Sequence, residues 1–137
     1  MPILTVRISG EADAQLRSKI VEMLQEKTSR ILGKKREVIA ITIQHINPDN
    51  WFIADRSLRD WGKNAFDLTI KITDETNTKN EKAAYLEAVF DGFSSILSPL
   101  HETSYIHVED VRAATYGYGG KTQEYRYQQG VASTLKT

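Results

Sequence analysis

The chain has 137 residues, no cysteine, and eighteen basic against eighteen acidic side chains. That is the size of one domain, large enough to bury a core without covalent staples. Disulfides, thiolate metal sites and thiol nucleophiles are excluded, and zero formal charge leaves no global basic field for nucleic acid. No stretch approaches a membrane span. The opening MPILTVRISGEAD lacks the charged start, long apolar centre and small-residue cleavage site of a signal peptide. A soluble, cytoplasmic protein is expected, with neither membrane nor nucleic acid as partner.

The first strand is read from Leu4, Val6 and Ile8, which alternate with Ile3, Thr5 and Arg7 at a period of two. A helix follows, with Asp13 as its N-cap. Leu16, Ile20, Met23, Leu24 and Ile31 form its apolar stripe, and Gly33 suits the left-handed position that ends it. The second strand is expected over Val38–Ile46. The connector Asn47–Lys63 holds Asn-Pro-Asp-Asn and then Trp51, Phe52 and Trp61. Three large aromatics in a loop either line a pocket or pack an interface.

Leu68, Ile70 and Ile72 alternate with Asp67, Thr69 and Lys71 in a third strand. Thr78 and Glu81 have the spacing of a capping box. Leu86, Val89, Phe90, Phe93 and Leu97 are expected as the buried face of the second helix, which Ser98-Pro99 stops. A fourth strand covers Ser104–Val111. Beyond Gly120 the chain, including Tyr125-Arg126-Tyr127, reads as a short extended tail. It either adds a strand to a neighbour's sheet or frays.

The two halves repeat. Leu4-Thr5-Val6-Arg7-Ile8-Ser9 aligns with Leu68-Thr69-Ile70-Lys71-Ile72-Thr73, every position identical or conservative. After one inserted residue Ile31-Leu32 meets Ile96-Leu97, Glu37 meets Glu102, Ile41 meets Ile106 and Trp51 meets Tyr116, with no gap from Ile31 to Asp55. Each copy reads strand, helix, strand. Strands joined through a helix pair in parallel with a right-handed crossover. The expected fold is therefore α+β: duplicated β-α-β units forming a four-stranded sheet with two helices on one face. It is a single domain over 1–137, with repeats of about 2–63 and 64–120 and a tail at 121–137. Ile3, Thr5, Arg7, Asp67, Thr69 and Lys71 are left on a bare face, and self-association is expected to cover it.

Pro2-Ile3 directly after Met1, on a strand leading to a helix, resembles the 4-oxalocrotonate tautomerase superfamily. Tyr116-Gly117-Tyr118-Gly119-Gly120 resembles the aromatic-Gly-x-Gly-Gly hairpin that closes the family's short subunit, and Trp51-Phe52-Ile53-Ala54-Asp55 is a decayed form of it. To about Gly120 the chain is similar to the fused branch, which includes the cis-3-chloroacrylic acid dehalogenase, malonate semialdehyde decarboxylase and macrophage migration inhibitory factor groups. The resemblance implies a homotrimer. It also implies one catalytic site per chain, because the second copy has Phe66 where the first has Pro2.

Removal of Met1 before a small residue makes the Pro2 nitrogen a secondary amine. A free α-amino group has a pKa of roughly 7.7–8.0. Apolar surroundings lower it and leave a neutral base. Such a base moves a proton between an enol oxygen and carbon without metal or cofactor. His45, His101 and His107 are dispersed, so no metal site is expected.

The family's arginines are missing. Gly10-Glu11-Ala12 precedes the first helix, Ile39 and Ser104 stand on the second strands, and Thr73-Asp74-Glu75-Thr76 follows the third. Lys34 is a candidate replacement in the Gly-Lys context of the migration inhibitory factor group, or an ordinary basic residue at a helix end. Arg56 and Arg112 bind substrate or remain surface charges. Trp51, Tyr116 and Tyr118 match or flank the family's pocket aromatic, or pack the core. Asp110 falls where relatives carry an acid that activates water, or is a solvated strand end. The expected activity is cofactor-free tautomerisation of a small 2-oxo or 2-hydroxy unsaturated carboxylate, with Pro2 as general base. The alternatives are a hydration-type dehalogenase or decarboxylase, a non-catalytic trimeric binding protein, and a ferredoxin-like RNA-binding module.

Overall fold

The computed structural model describes the backbone of residues 2–136 and the side chains as far as residue 130. The first copy comprises β1 (Ile3–Ser9), α1 (Ala14–Leu32), β2 (Ala40–Ile46), a small hairpin of β3 (Phe52–Ile53) and β4 (Arg56–Ser57), and α2 (Leu58–Trp61). The second comprises β5 (Phe66–Thr73), α3 (Lys79–Ile96), β6 (Tyr105–Val111), a hairpin of β7 (Gly117–Tyr118) and β8 (Lys121–Thr122), and α4 (Gln123–Lys136). The main sheet has the order β2-β1-β5-β6. Pairing is parallel inside each copy and antiparallel where β1 meets β5. The two β-α-β units are thus related by an approximate twofold axis, as the internal repeat predicts.

The helix ends form where the sequence places them. Asp13 Oδ1 accepts from the backbone N–H groups of Gln15 and Leu16 at 2.8 and 3.1 Å, and Gly33 closes α1 at φ 69°. Thr78 and Glu81 make the reciprocal capping box of α3. Leu4, Val6 and Ile8 of β1 and Leu68, Ile70 and Ile72 of β5 are completely buried beneath the two helices. Ile20 and Leu24 come down from α1, and Tyr85, Val89 and Phe93 from α3. Phe93 stacks on Phe66 with ring centroids 3.9 Å apart.

Gly92, in the middle of α3, has a packing reason. A Cβ there would lie 2.7 Å from both Cγ and Sδ of Met23 on α1. The glycine lets the two helices close. The phase of α3 differs from the expected one at one position. Leu86 is 37% exposed and Tyr85 takes the core position, because Tyr85, Val89 and Phe93 follow one another at four-residue steps along the buried stripe.

The segment after Gly120 corrects the expectation of an extended tail: it is the helix α4. The reason is local. Thr122 Oγ1 accepts from the Tyr125 N–H at 3.0 Å, the N-cap bond that starts a helix. Gln and Glu then follow, both good helix formers. The same construction closes the first copy, where Ser57 Oγ accepts from the Asp60 N–H at 3.1 Å. Trp51, Ser57, Leu58 and Trp61 correspond to Tyr116, Thr122, Gln123 and Arg126, each 65 positions on. The hydrogen bond from Leu58 N to Trp51 O, 2.9 Å, recurs from Gln123 N to Tyr116 O at 2.9 Å. The turn residues Ala54 and Asp55, at φ 52° and 64°, correspond to Gly119 and Gly120 at 62° and 76°. Both pairs hold the left-handed backbone of a tight hairpin.

The sheet face away from the helices carries exposed Ile3, Thr5, Arg7 and Lys71 with half-buried Asp67 and Thr69. Arg7 and His107 approach Asp67 at 3.8 and 4.0 Å. Among the described residues no helix is long and apolar enough to cross a membrane.

One buried polar contact joins the helices. Thr28 Oγ1 of α1 and Tyr85 Oη of α3 lie 2.8 Å apart. Burial pushes the Tyr85 hydroxyl up to about 12, opposed by the hydrogen bond to Thr28. Tyr85→Phe strands the Thr28 hydroxyl in the core, and urea unfolding is expected to register a loss of about 1–2 kcal/mol. Adding Thr28→Val removes the stranded group and should recover part of that loss.

Candidate active site

Pro2 is buried, and its carbonyl accepts from the Ala40 N–H at 3.3 Å. Ile3 pairs with Ala40 on one side and Lys71 on the other. Carried back one residue, that register sets Pro2 between Ile39 and Ile72, both buried. Pro2 has the parity of Leu4, so it lies on the helix side of the sheet. The elements that meet at this end are the C-terminus of α1, the N-terminus of α3, the ends of β5 and β6, and the hairpin and helix that close the second copy.

Several candidate residues come together here. Lys34 follows the Gly33 turn and is half-buried, and its Nζ donates to Thr76 Oγ1 at 3.0 Å. Asn77 Nδ2 donates to the Leu32 carbonyl at 3.0 Å and clips the end of α1 to the start of α3. Burial lowers the pKa of Lys34, and the charges of Glu81 and Asp110 partly oppose that shift. Asp110 is paired in register with Ile72, and its carboxylate accepts from Lys82 Nζ at 2.7 Å. Tyr116 is half-buried, with its hydroxyl 2.5 Å from Thr73 Oγ1. Burial raises its pKa against the effect of that hydrogen bond. Tyr118 lies under the guanidinium of Arg126, 3.8 Å from the ring centroid, and its carbonyl accepts from Arg126 Nη2 at 2.9 Å. Arg112 stands just beyond β6 with an exposed side chain.

Lys34, Val38, Thr73, Tyr118, Gln123 and Arg126 line one groove at this end, with a volume of about 870 Å³. Gln123 and Arg126 were not among the residues singled out from the sequence. The signal was available: the gapless alignment of the two copies continues past Gly120 and sets Gln123 opposite Leu58 and Arg126 opposite Trp61.

Trp51 and Arg56 sit elsewhere. They belong to the hairpin that closes the first copy, beside Ser9 and Ile46 at the other end of β1. Seven residues of strand put the two ends on the order of 20 Å apart. Arg56 stacks 4.2 Å over the Trp61 ring, and its Nη2 donates to the Asp60 carbonyl at 3.1 Å. Trp51 lines a second cavity of about 670 Å³ that opens toward the bare sheet face and includes Arg7, Asp67 and His107. Among the described residues no group of three or more His, Asp or Glu is placed to hold a metal ion.

The sequence model of the tautomerase family, described as tautomerase enzyme, matches residues 2–60. No curated protein matches the chain. Solved structures match its fold closely. A fused 4-OT, a symmetric trimer, is 15% identical, covers 89% of this chain and 96% of its own, and superposes with a TM-score of 0.77. Pt0534 inactivated by 2-oxo-3-pentynoate is 11% identical, with 90% and 98% covered and a TM-score of 0.79. A macrophage migration inhibitory factor-like protein from Entamoeba histolytica is 12% identical, with 88% and 97% covered and a TM-score of 0.72. The sequence match begins at Pro2 and spans the first copy, while the duplicated fold extends over both. Residues 2–60 thus resemble the tautomerase family, and the chain as a whole shares its fold with these structures.

Proposed function

We propose that this protein is a cofactor-free tautomerase in which Pro2, freed of Met1, is the general base. The observation that carries the reading is the burial of Pro2 between Ile39 and Ile72, at the end of the sheet that also holds half-buried Lys34. Apolar walls disfavour the protonated amine, so its pKa falls below the roughly 7.7–8.0 of a free α-amino group. The neutral nitrogen takes the hydroxyl proton of an enol acid. The electron pair of the O–H bond forms the new carbonyl, and the enol double bond takes up a proton at carbon from the proline ammonium. Proton and electrons balance without an added reactant.

Lys34 supplies positive charge for the substrate carboxylate and for the oxyanion that develops beside it. Asp110 acts through Lys34: its negative charge offsets part of the desolvation that favours the neutral amine. The bare sheet face supports assembly around a shared axis, and a homotrimer is the natural closed form given the trimeric structures that share the fold.

In the ketonisation of phenylenolpyruvate, Pro2→Ala retains only a primary amine with added rotational freedom. We expect it to lose at least about 100-fold in kcat/KM, the order of a general-base contribution. Unchanged turnover in that variant removes the reading. The pH profile of kcat/KM should rise as the Pro2 amine loses its proton and fall as Lys34 loses its own. Because burial lowers the Lys34 pKa, the fall begins below the ordinary lysine value of 10.5. NMR titration of the Lys34 side chain tests the role of Asp110 separately. Asp110→Asn should move the Lys34 midpoint further down, and a midpoint that stays put or rises contradicts that role.

A further inference from the structure

The two copies close in the same way but with different chemistry at two positions. In the first copy Leu58 is fully buried, and the Trp61 indole N–H donates to the Ile53 carbonyl at 2.9 Å. In the second copy Gln123 stands at the Leu58 position. Arg126 stands at the Trp61 position and repeats the Trp61 bond, donating from Nη2 to the Tyr118 carbonyl at 2.9 Å. That bond and the stacking on Tyr118 fulfil the packing role of Trp61. They leave over a second donor, Arg126 Nε–H. It is buried and has no hydrogen-bond partner among the described residues, and Gln123 Nε2 is in the same condition. Buried donors without acceptors are rare in folded proteins and call for an explanation. Apolar side chains do the packing work in the closure of the first copy, at the end of the sheet away from Pro2. Hydrogen-bond donors replace them in the closure of the second copy, which lies at the Pro2 end of the sheet.

The charges of the groove are sorted by depth. Its cationic and donor groups, Lys34, Gln123 and Arg126, are half-buried. Its acids, Glu37, Asp74, Glu75 and Glu124, are all exposed at the rim, where Lys35 is the one cation among the described lining residues. A carboxylate inside meets a guanidinium, an amide and an ammonium. A second carboxylate on the same ligand would emerge among four negative charges.

We propose that Gln123 and Arg126 complete, with Lys34, a seat for a single carboxylate, and that the acidic rim makes the site selective for monocarboxylate over dicarboxylate 2-oxo acids. The inference rests on the Pro2 reading for which site is meant, and it names the class of substrate. Gln123 and Arg126 are binding residues. They offer N–H donors in the forked geometry that a carboxylate accepts.

The test uses binding, so that it does not depend on the base. 2-Oxopentanoate and 2-oxoglutarate share a five-carbon 2-oxo acid skeleton and differ by one carboxylate. Each is titrated into the full chain and followed by NMR at residues 33–38, 73–76 and 123–127. We expect 2-oxopentanoate to bind at least about tenfold more tightly, the order of one charge-assisted contact. The double variant Gln123→Leu, Arg126→Trp installs the side chains of the first copy. It should keep α4 folded by circular dichroism and lose at least about tenfold in affinity for 2-oxopentanoate. Equal affinity for the two acids overturns the proposal, as does undiminished binding by the double variant.

Should that variant lose α4, Glu37→Gln with Glu124→Gln supplies the second arm. It should raise 2-oxoglutarate affinity severalfold and close part of the gap, and an unchanged gap overturns the selectivity. Pro2→Ala keeps the two readings apart. If it retains both turnover and carboxylate binding, the base assignment fails while the seat stands.

Discussion

The antiparallel junction between β1 and β5 governs everything that follows. Each β-α-β unit is parallel inside itself and needs its helix for the crossover. Joined head to tail, Thr5 opposite Thr69 and Val6 opposite Leu68, the two units point in opposite directions. The start of β1 is thereby set beside the end of β5, and the chain leaves β6 at the same end of the sheet as Pro2. The hairpin and helix that close the second copy thus face the N-terminus of the first. Six apolar side chains on the helix side of β1 and β5, all completely buried, hold this junction. A one-residue slip would turn them to the bare face.

Duplication explains the economy of the site as well as its asymmetry. Two copies of one hairpin-helix closure occupy opposite ends of the sheet, yet only one end holds Pro2. At that end the residues corresponding to Leu58 and Trp61 are polar, the helix that begins there runs fourteen residues instead of four, and Lys34 is half-buried rather than solvated. At the other end Trp61 packs edge-on to His101 and Arg56 covers its ring, so the same frame is filled by aromatic contacts. The first copy serves as an internal control for the second: what differs between them at matching positions is what packing alone does not require.

Much of this was legible in the sequence. The period-two strands, the Asp13 and Thr78 caps, the Gly33 stop and the sheet with both helices on one face follow from local rules, and local rules fixed them. Leu86 was misplaced because two phases of an apolar stripe differ by one residue, and the tyrosine hydroxyl of Tyr85 hides its burial until Thr28 is known to be its partner. The tail was misread for a similar reason. Its aromatic and basic residues suggest an edge strand, and only the Thr122 cap, seen beside its counterpart Ser57, marks a helix start. Distance between sites was not legible at all. Trp51 and Tyr116 match in the alignment, but the approximate twofold axis sends them to opposite ends of the sheet, so only Tyr116 shares an end with Pro2.

Pro2 can act as proposed only if its nitrogen is free and is the reactive amine of the site. Covalent labelling tests it most directly. 2-Oxo-3-pentynoate carries an alkyne conjugated to a ketone, and a neutral amine adds to it at the far alkyne carbon. After incubation, intact mass and peptide mapping should show a chain without Met1 that has gained one inhibitor molecule, attached at Pro2. A chain that keeps Met1, or a label on Lys34 with Pro2 unmodified, would contradict the account.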